Sequence, residues 1–172
     1  MIRPARFGDE PVIAAMLREM HRESKYLGIV DISEKAMERV ILSMIAGQGQ
    51  SGPQGTFCVV AEQGGRAAGF MAGILDRIYH IGDKLVAQDV FLHVRHGSGP
   101  RPALKLIDAY VEWARGNRKV LEVKLSWNDT LPGAKRIAPI YERKGFRRCG
   151  EIYEMRSVAP EPARNVLLLE GA

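Results

Sequence analysis

Two stretches near the start of the chain carry apolar residues at helical spacing. Val12, Ile13, Met16, Leu17 and Met20 follow Asp9, and Met37, Val40, Ile41, Met44 and Ile45 follow Ser33. Each set falls on one face of an α-helix, and an Asp or Ser just before it suits the N-cap. A short strand is expected ahead of them, over Ile2 to Ala5. From Phe57 to Ala61 the pattern changes to a continuous apolar run, as in a buried strand. Gly64-Gly65 then marks a tight hairpin turn. Ala67 to about His80 reads as a second, longer strand, and Leu85 to Val94 as a third after the turn at Gly82-Asp83. These three predict an antiparallel meander.

A helix follows Gly97-Ser98-Gly99-Pro100. Pro102 suits its first turn, Leu104, Ile107, Val111 and Ala114 give its expected buried stripe, and Gly116 stops it. Val120 to Trp127 alternates as a strand. A short helix is expected over about Ile137 to Lys144, closed by Gly145 in a left-handed cap. Arg147 to Ser157 reads as the last strand. The order β-α-α-β-β-β-α-β-α-β predicts one mixed α/β (α+β) sheet, mostly antiparallel, with helices on both faces. No repeat or linker interrupts it, so residues 1–157 are expected to form one domain, with 158–172 as a C-terminal tail. The tail run Val166-Leu167-Leu168-Leu169 suits docking onto the chain's own sheet or onto a second copy in a homodimer.

Composition changes this picture little. The chain has 172 residues, 46% of them apolar, enough for a sizeable core. No apolar run is long enough to span a bilayer and no signal-peptide pattern opens the sequence. Cys58 and Cys149 make neither a disulfide framework nor a zinc pattern, which suits a reducing cytoplasm. A net charge of +5 fits a phosphorylated partner, but the basic residues form no stripe interleaved with aromatics, so no nucleic acid is expected. His93 and His96 lack a third metal ligand, so no metal is expected. Ser98 is no hydrolase elbow, because His96 breaks the Gly-x-Ser-x-Gly frame.

The strand–loop–helix unit from Asp89 to Arg115 has the layout of a phosphate site, with a glycine-bearing loop leading into a helix N-terminus. Leu92-His93-Val94, this loop, and then Leu106-Ile107-Asp108-Ala109-Tyr110-Val111-Glu112-Trp113-Ala114 resemble the coenzyme A motif of the GNAT acetyltransferases. Tyr141-Glu142-Arg143-Lys144-Gly145-Phe146 is similar to that family's C-terminal motif, as are the opening Ile2-Arg3-Pro4-Ala5 and Ala68-Gly69-Phe70 after the hairpin. The stretch Asp83 to Ala114 looks most like GNAT proteins encoded near phage genes.

The resemblance implies a GNAT fold with six to seven strands, acetyl-CoA as co-substrate, and transfer of the acetyl group to an amine of a small molecule or protein. Leu92, His93 and Val94 would face the acyl group, and Gly97, Ser98, Gly99, Arg101 and Ala103 would hold the pyrophosphate. In the register set by Leu106-Ile107, Ser98 stands where the family has Arg or Gln, and Arg101 and Ala103 take the two small positions. Pro100 and Pro102 have no N–H to offer a phosphate, and Arg101 can compensate as a charged donor. Tyr141 holds the family's general-acid position, although Ala134 replaces the Asn often found seven residues earlier, and Pro139 interrupts the short helix. Asp89 and Glu23 are the carboxylate candidates for the base, with His21 and His93 as further options. His21, Glu23, Ser24 and Tyr26 lie where the family builds its acceptor pocket.

Overall fold

The computed structural model describes residues 1–156; the tail 158–172 and Ser157 lie outside the described residues. The elements are β1 (Ile2–Pro4), α1 (Glu10–Arg22), α2 (Glu34–Ala46), β2 (Thr56–Gln63), β3 (Arg66–Arg77), β4 (Leu85–Val94), α3 (Arg101–Arg115), β5 (Val120–Lys124) and α4 (Ala138–Arg143). The sheet order β1-β2-β3-β4-β5 equals the chain order. The first three neighbour pairs are antiparallel and β4–β5 is parallel, because α3 carries the chain back across the sheet.

Local chemistry explains the elements. Gly64 and Gly65 take φ of 58° and 74°, the two left-handed positions of the hairpin turn. β2 is buried on both faces, and helices cover both. α1 and α2 pack on one side through Ile13, Met16, Leu17, Met37, Ile41 and Ile45 against Cys58, Val60 and Phe70. α3 packs on the other through Leu106, Tyr110 and Ala114 against Phe57, Met71, Leu85 and Ala87. Each fully buried Leu, Ile, Val, Met or Phe among these contributes about 1.5–3 kcal/mol.

Several expectations need correction. Asp9 stands at the start of α1 but caps nothing with its side chain. Its carboxylate instead receives Arg3 at 2.7 and 2.9 Å and the Arg6 N–H at 2.8 Å. Ser33 does cap α2, accepting from the Ala36 N–H. Val40 is exposed, so the α2 stripe narrows to Met37, Ile41 and Ile45. On α3 Ile107 and Ala114 are buried as expected, while Leu106 and Tyr110 are fully buried and Leu104 and Val111 only half-buried, so the stripe is wider than the expected one.

The sheet has five strands among the described residues rather than six to seven. Residues 147–156 form none: Ile152, Tyr153 and Met155 are exposed, Arg148 and Tyr153 both bond Glu151 locally, and Glu154 pairs with Lys25. β5 also ends at Lys124 instead of Trp127.

Candidate active site

The β4–β5 ladder pairs Leu85 with Val120 and ends at Gln88 with Lys124. A bulge in β4 follows at once, since Gly73 of β3 pairs with Asp89 but its neighbour Ala72 pairs with Phe91. Beyond the bulge the two strands part. On the β3 side the ladder continues, and the Arg95 N–H donates to Ala68 O at 2.9 Å. Backbone N–H groups alternate in direction along a strand, so the N–H groups of Leu92 and Val94 point the other way, into the split. The His93 N–H faces β3.

Three side chains meet the far wall of the split. Asp89 Oδ1 accepts from the N–H and the hydroxyl of Ser126 at 2.9 and 3.1 Å. The Tyr141 hydroxyl donates to Ser126 O at 3.2 Å, and the Tyr110 hydroxyl donates to Lys124 O at 3.1 Å. Burial raises the Asp89 pKa above the usual carboxylate range, with the Ser126 bonds opposing. Burial, then the nearby Asp89 charge, raises the Tyr141 hydroxyl as well, so it stays protonated at neutral pH.

Tyr141 is placed by its own motif. Gly145 closes α4 with φ 86°. The Phe146 N–H donates to Tyr141 O and the Gly145 N–H to Glu142 O, the double bond of a Schellman cap. The Phe146 ring packs 6.1 Å from the Tyr141 ring.

The mouth of the split leads to the loop before α3. Gly97 and Gly99 have φ of 80° and 70°, with open space where a Cβ would stand. Ser98 is half-buried, and its N–H bonds Arg95 O. Pro100 and Pro102 donate nothing, and the Leu104 N–H is spent on Pro100 O. The N–H groups of Arg101 and Ala103 therefore remain at the helix start, beside the exposed Arg101 side chain. These residues fit a phosphate, with fewer amide donors than a proline-free turn would offer.

On the opposite face, α1 grips the end of β4. Glu19 binds the Arg95 guanidinium at 3.0 Å and lies 3.5 Å from His93 Nε2. Glu23 lies 2.9 Å from His96 Nε2. The His93 side chain is buried under α1, and its Nε2 has no hydrogen-bond partner. Burial holds its pKa below the usual histidine value, with Glu19 opposing. The Arg95 bond holds the Glu19 carboxyl below its usual range.

The loop after α1 carries the remaining candidates. Ser24 Oγ donates to His21 O at 2.8 Å and accepts from the Tyr26 N–H. Lys25 ties this loop to Asp129 and Glu154 at 2.7 Å, and its N–H bonds Thr130 O. The structure thus brings Asp89 and Tyr141 to the split and Glu23 beside His96 of the loop before α3, while His21 falls in the last turn of α1 instead of the loop, and Ser24 and Tyr26 sit on the loop after it. Sequence reasoning missed Glu19, Lys25, Tyr110 and Ser126. Tyr110 was within reach, three residues after Ile107 and four before Ala114 on one helical face. Among the described residues no group of three or more His, Cys, Asp or Glu is placed to hold a metal, and no helix is long and apolar enough to cross a membrane.

No protein-family profile and no curated protein matches the sequence. Solved structures do match. A ribosomal-protein-alanine N-acetyltransferase from Brucella melitensis is 15% identical, covering 91% of this chain and 97% of its own, with a TM-score of 0.65. A protein from Clostridium acetobutylicum, described as an acetyltransferase and solved with acetyl-CoA, is 18% identical over 91% and 95%, with a TM-score of 0.64. A transcriptional regulator from Bacillus halodurans is 18% identical over 91% and 98%, with a TM-score of 0.67. The fold of the chain is therefore the one these proteins share, the GNAT fold that the sequence resemblance implied.

Proposed function

We propose that the chain is an N-acetyltransferase that moves the acetyl group of acetyl-CoA to an amine by direct attack in a ternary complex. The observation that carries this reading is the split after Gln88 and Lys124, with two N–H groups directed into it and a protonated Tyr141 hydroxyl at its wall. An acyl oxygen between β4 and β5 would accept from Leu92 and Val94, which stabilises the charge that develops on it. His93 contributes its place in the strand. The pyrophosphate would lie on Gly97, Ser98, Gly99, Arg101 and Ala103 at the positive end of α3.

The acceptor amine must be neutral to attack. Asp89, its pKa raised by burial, is the better-placed base, and Glu23 is the second carboxylate. As the C–N bond forms, the amine's surplus proton passes to the base. The C–S bond then breaks, and Tyr141 gives its proton to the departing thiolate. His21, Glu23, Ser24 and Tyr26 would hold the acceptor. Free thiols at Cys58 and Cys149 suit a cytoplasmic setting.

A second reading is a GNAT-fold protein that binds acetyl-CoA without turning it over. Two observations favour it: the amide donors lost at Pro100 and Pro102, and the likeness to a protein described as a transcriptional regulator. Calorimetry with acetyl-CoA and coenzyme A, followed by a turnover screen over amines and peptides with free N-termini, separates the readings. Thiol release with an amine supports the enzyme, and binding without release supports the second reading. No binding of either nucleotide at millimolar concentration would sink both.

A further inference from the structure

The chain of β5 runs on to Ser126 after its pairing with β4 stops at Lys124. A strand that loses its neighbour leaves backbone polar groups in need of partners. Here side chains take the neighbour's place. The Tyr110 hydroxyl donates to Lys124 O, the Asp89 carboxylate accepts from the Ser126 N–H, and the Tyr141 hydroxyl donates to Ser126 O. Lys124 and Ser126 are two residues apart, so their polar groups share one side of the strand.

We propose that Tyr110 is a positioning residue that holds the β4–β5 split open, by occupying the carbonyl of Lys124, the last β5 residue of the ladder. Its ring is fixed from several sides. Tyr110 is wholly buried, and the Phe57 and Trp113 rings stand 5.5 and 5.7 Å from it. On β3, a Cβ at Gly73 would lie 2.6 Å from Tyr110 Cε2, so the ring passes over the sheet only where a side chain is missing. Gly73 is also the residue paired with Asp89 at the bulge. The ring, the bulge and the end of the ladder therefore coincide. A ring so confined keeps its hydroxyl at a fixed height, and Lys124 O stays with it instead of closing on β4. The Leu92 and Val94 N–H groups are left facing the split.

The catalytic meaning of this rests on the acetyl-transfer reading; the structural content does not. The test uses the full chain, wild type and Tyr110→Phe, with residue-resolved hydrogen exchange, a thermal melt, acetyl-CoA calorimetry and initial rates. Wild type should show fast exchange at Leu92 and Val94 beside slow exchange over Val86 to Gln88. In Tyr110→Phe the freed carbonyl draws β4 in. Exchange at Leu92 should slow about tenfold and acetyl-CoA affinity should fall about tenfold, the scale of one lost hydrogen bond. With saturating acetyl-CoA, kcat should remain depressed. A lower melting temperature with unchanged exchange at Leu92 and Val94 would overturn the proposal, since a packing role predicts that alone. If Tyr110→Phe fails to fold, the wild-type pattern decides: slow exchange at both Leu92 and Val94 rejects an open split. Absence of acetyl-CoA binding in the wild type ends the acetyl-transfer reading and leaves the exchange data to judge Tyr110.

Discussion

Asp89 Oδ1 accepts both hydrogen bonds that Ser126 can donate, from its N–H at 2.9 Å and from its hydroxyl at 3.1 Å. One carboxylate oxygen thus replaces a stretch of β4 backbone as the partner of the strand leaving β5. The same group is the best-placed base, and the two duties separate on substitution. Asp89→Asn keeps an oxygen acceptor and loses only the proton site. We expect it to melt close to the wild type and to lose about a hundredfold to ten-thousandfold in turnover. The wild-type rate should rise with pH through the elevated Asp89 pKa, and the variant should lack that rise. A pH-rate profile of both proteins checks this; a fully active Asn variant leaves Asp89 as a latch alone.

Tyr141→Phe keeps the ring against Phe146 and removes the hydroxyl that reaches Ser126 O. The lost bond should cost about 1 kcal/mol of stability. If the hydroxyl protonates the thiolate, turnover falls by about a hundredfold or more, with acetyl-CoA affinity nearly unchanged, because the proton is needed only in the transition state. A melt and a rate assay on one variant separate the effects. Full turnover with chemistry rate-limiting would leave water as the proton donor.

The secondary elements were legible because their signals are local. Helical spacing located α1 and α2, the glycine pair located the β2–β3 turn, and the Gly145 cap explains why Tyr141-to-Phe146 forms a recognisable motif. The split itself was not legible. Its walls are Asp89, Tyr110, Ser126 and Tyr141, from four separate segments, and nothing in the alternation of Val120 to Trp127 shows that pairing stops at Lys124. The pairs of Glu19 with Arg95 and Glu23 with His96 are likewise invisible, since each spans more than seventy positions. The expected strand over 147–157 finds no neighbouring strand to pair with among the described residues.

Arg101 should carry part of the phosphate contact that Pro100 and Pro102 leave unmet. Its side chain is exposed at the start of α3, where a charged donor can reach a ligand. Arg101→Ala is expected to weaken acetyl-CoA binding at low salt, with a smaller loss at high salt because mobile ions screen an exposed charge. Calorimetry at two ionic strengths checks this. Equal affinities of wild type and variant at low salt would show that Arg101 points elsewhere.

His93 should make the fold sensitive to mild acid. Burial holds its folded pKa below the ordinary 6.5, against the opposing pull of Glu19 and Glu23, while Arg95 adds to the depression. Between those two pKa values the unfolded chain binds the proton more readily than the folded one. Stability is therefore full above 6.5 and is lost as pH falls toward the folded pKa. His93→Leu removes that contribution. The drop in melting temperature between about pH 7.5 and about pH 5.5 should be smaller in the variant. An identical drop in both proteins would assign the acid sensitivity to other groups.

The identity of chain order and sheet order bears on how the molecule assembles. Each of the first three neighbour pairs is antiparallel and joined without a crossover, the shortest link being the two-residue turn at Gly64-Gly65. Short loops lose little entropy on closure, so the meander β2-β3-β4 can nucleate early. β5 must wait for α3 to form and cross the sheet, and its ladder with β4 is parallel. The cleft between β4 and β5 therefore forms after the meander. Pulse labelling during refolding should show protection in β2 and β3 before β5. A ligand seated between the final two strands would act on that last step, binding the completed sheet alone and slowing the departure of β5.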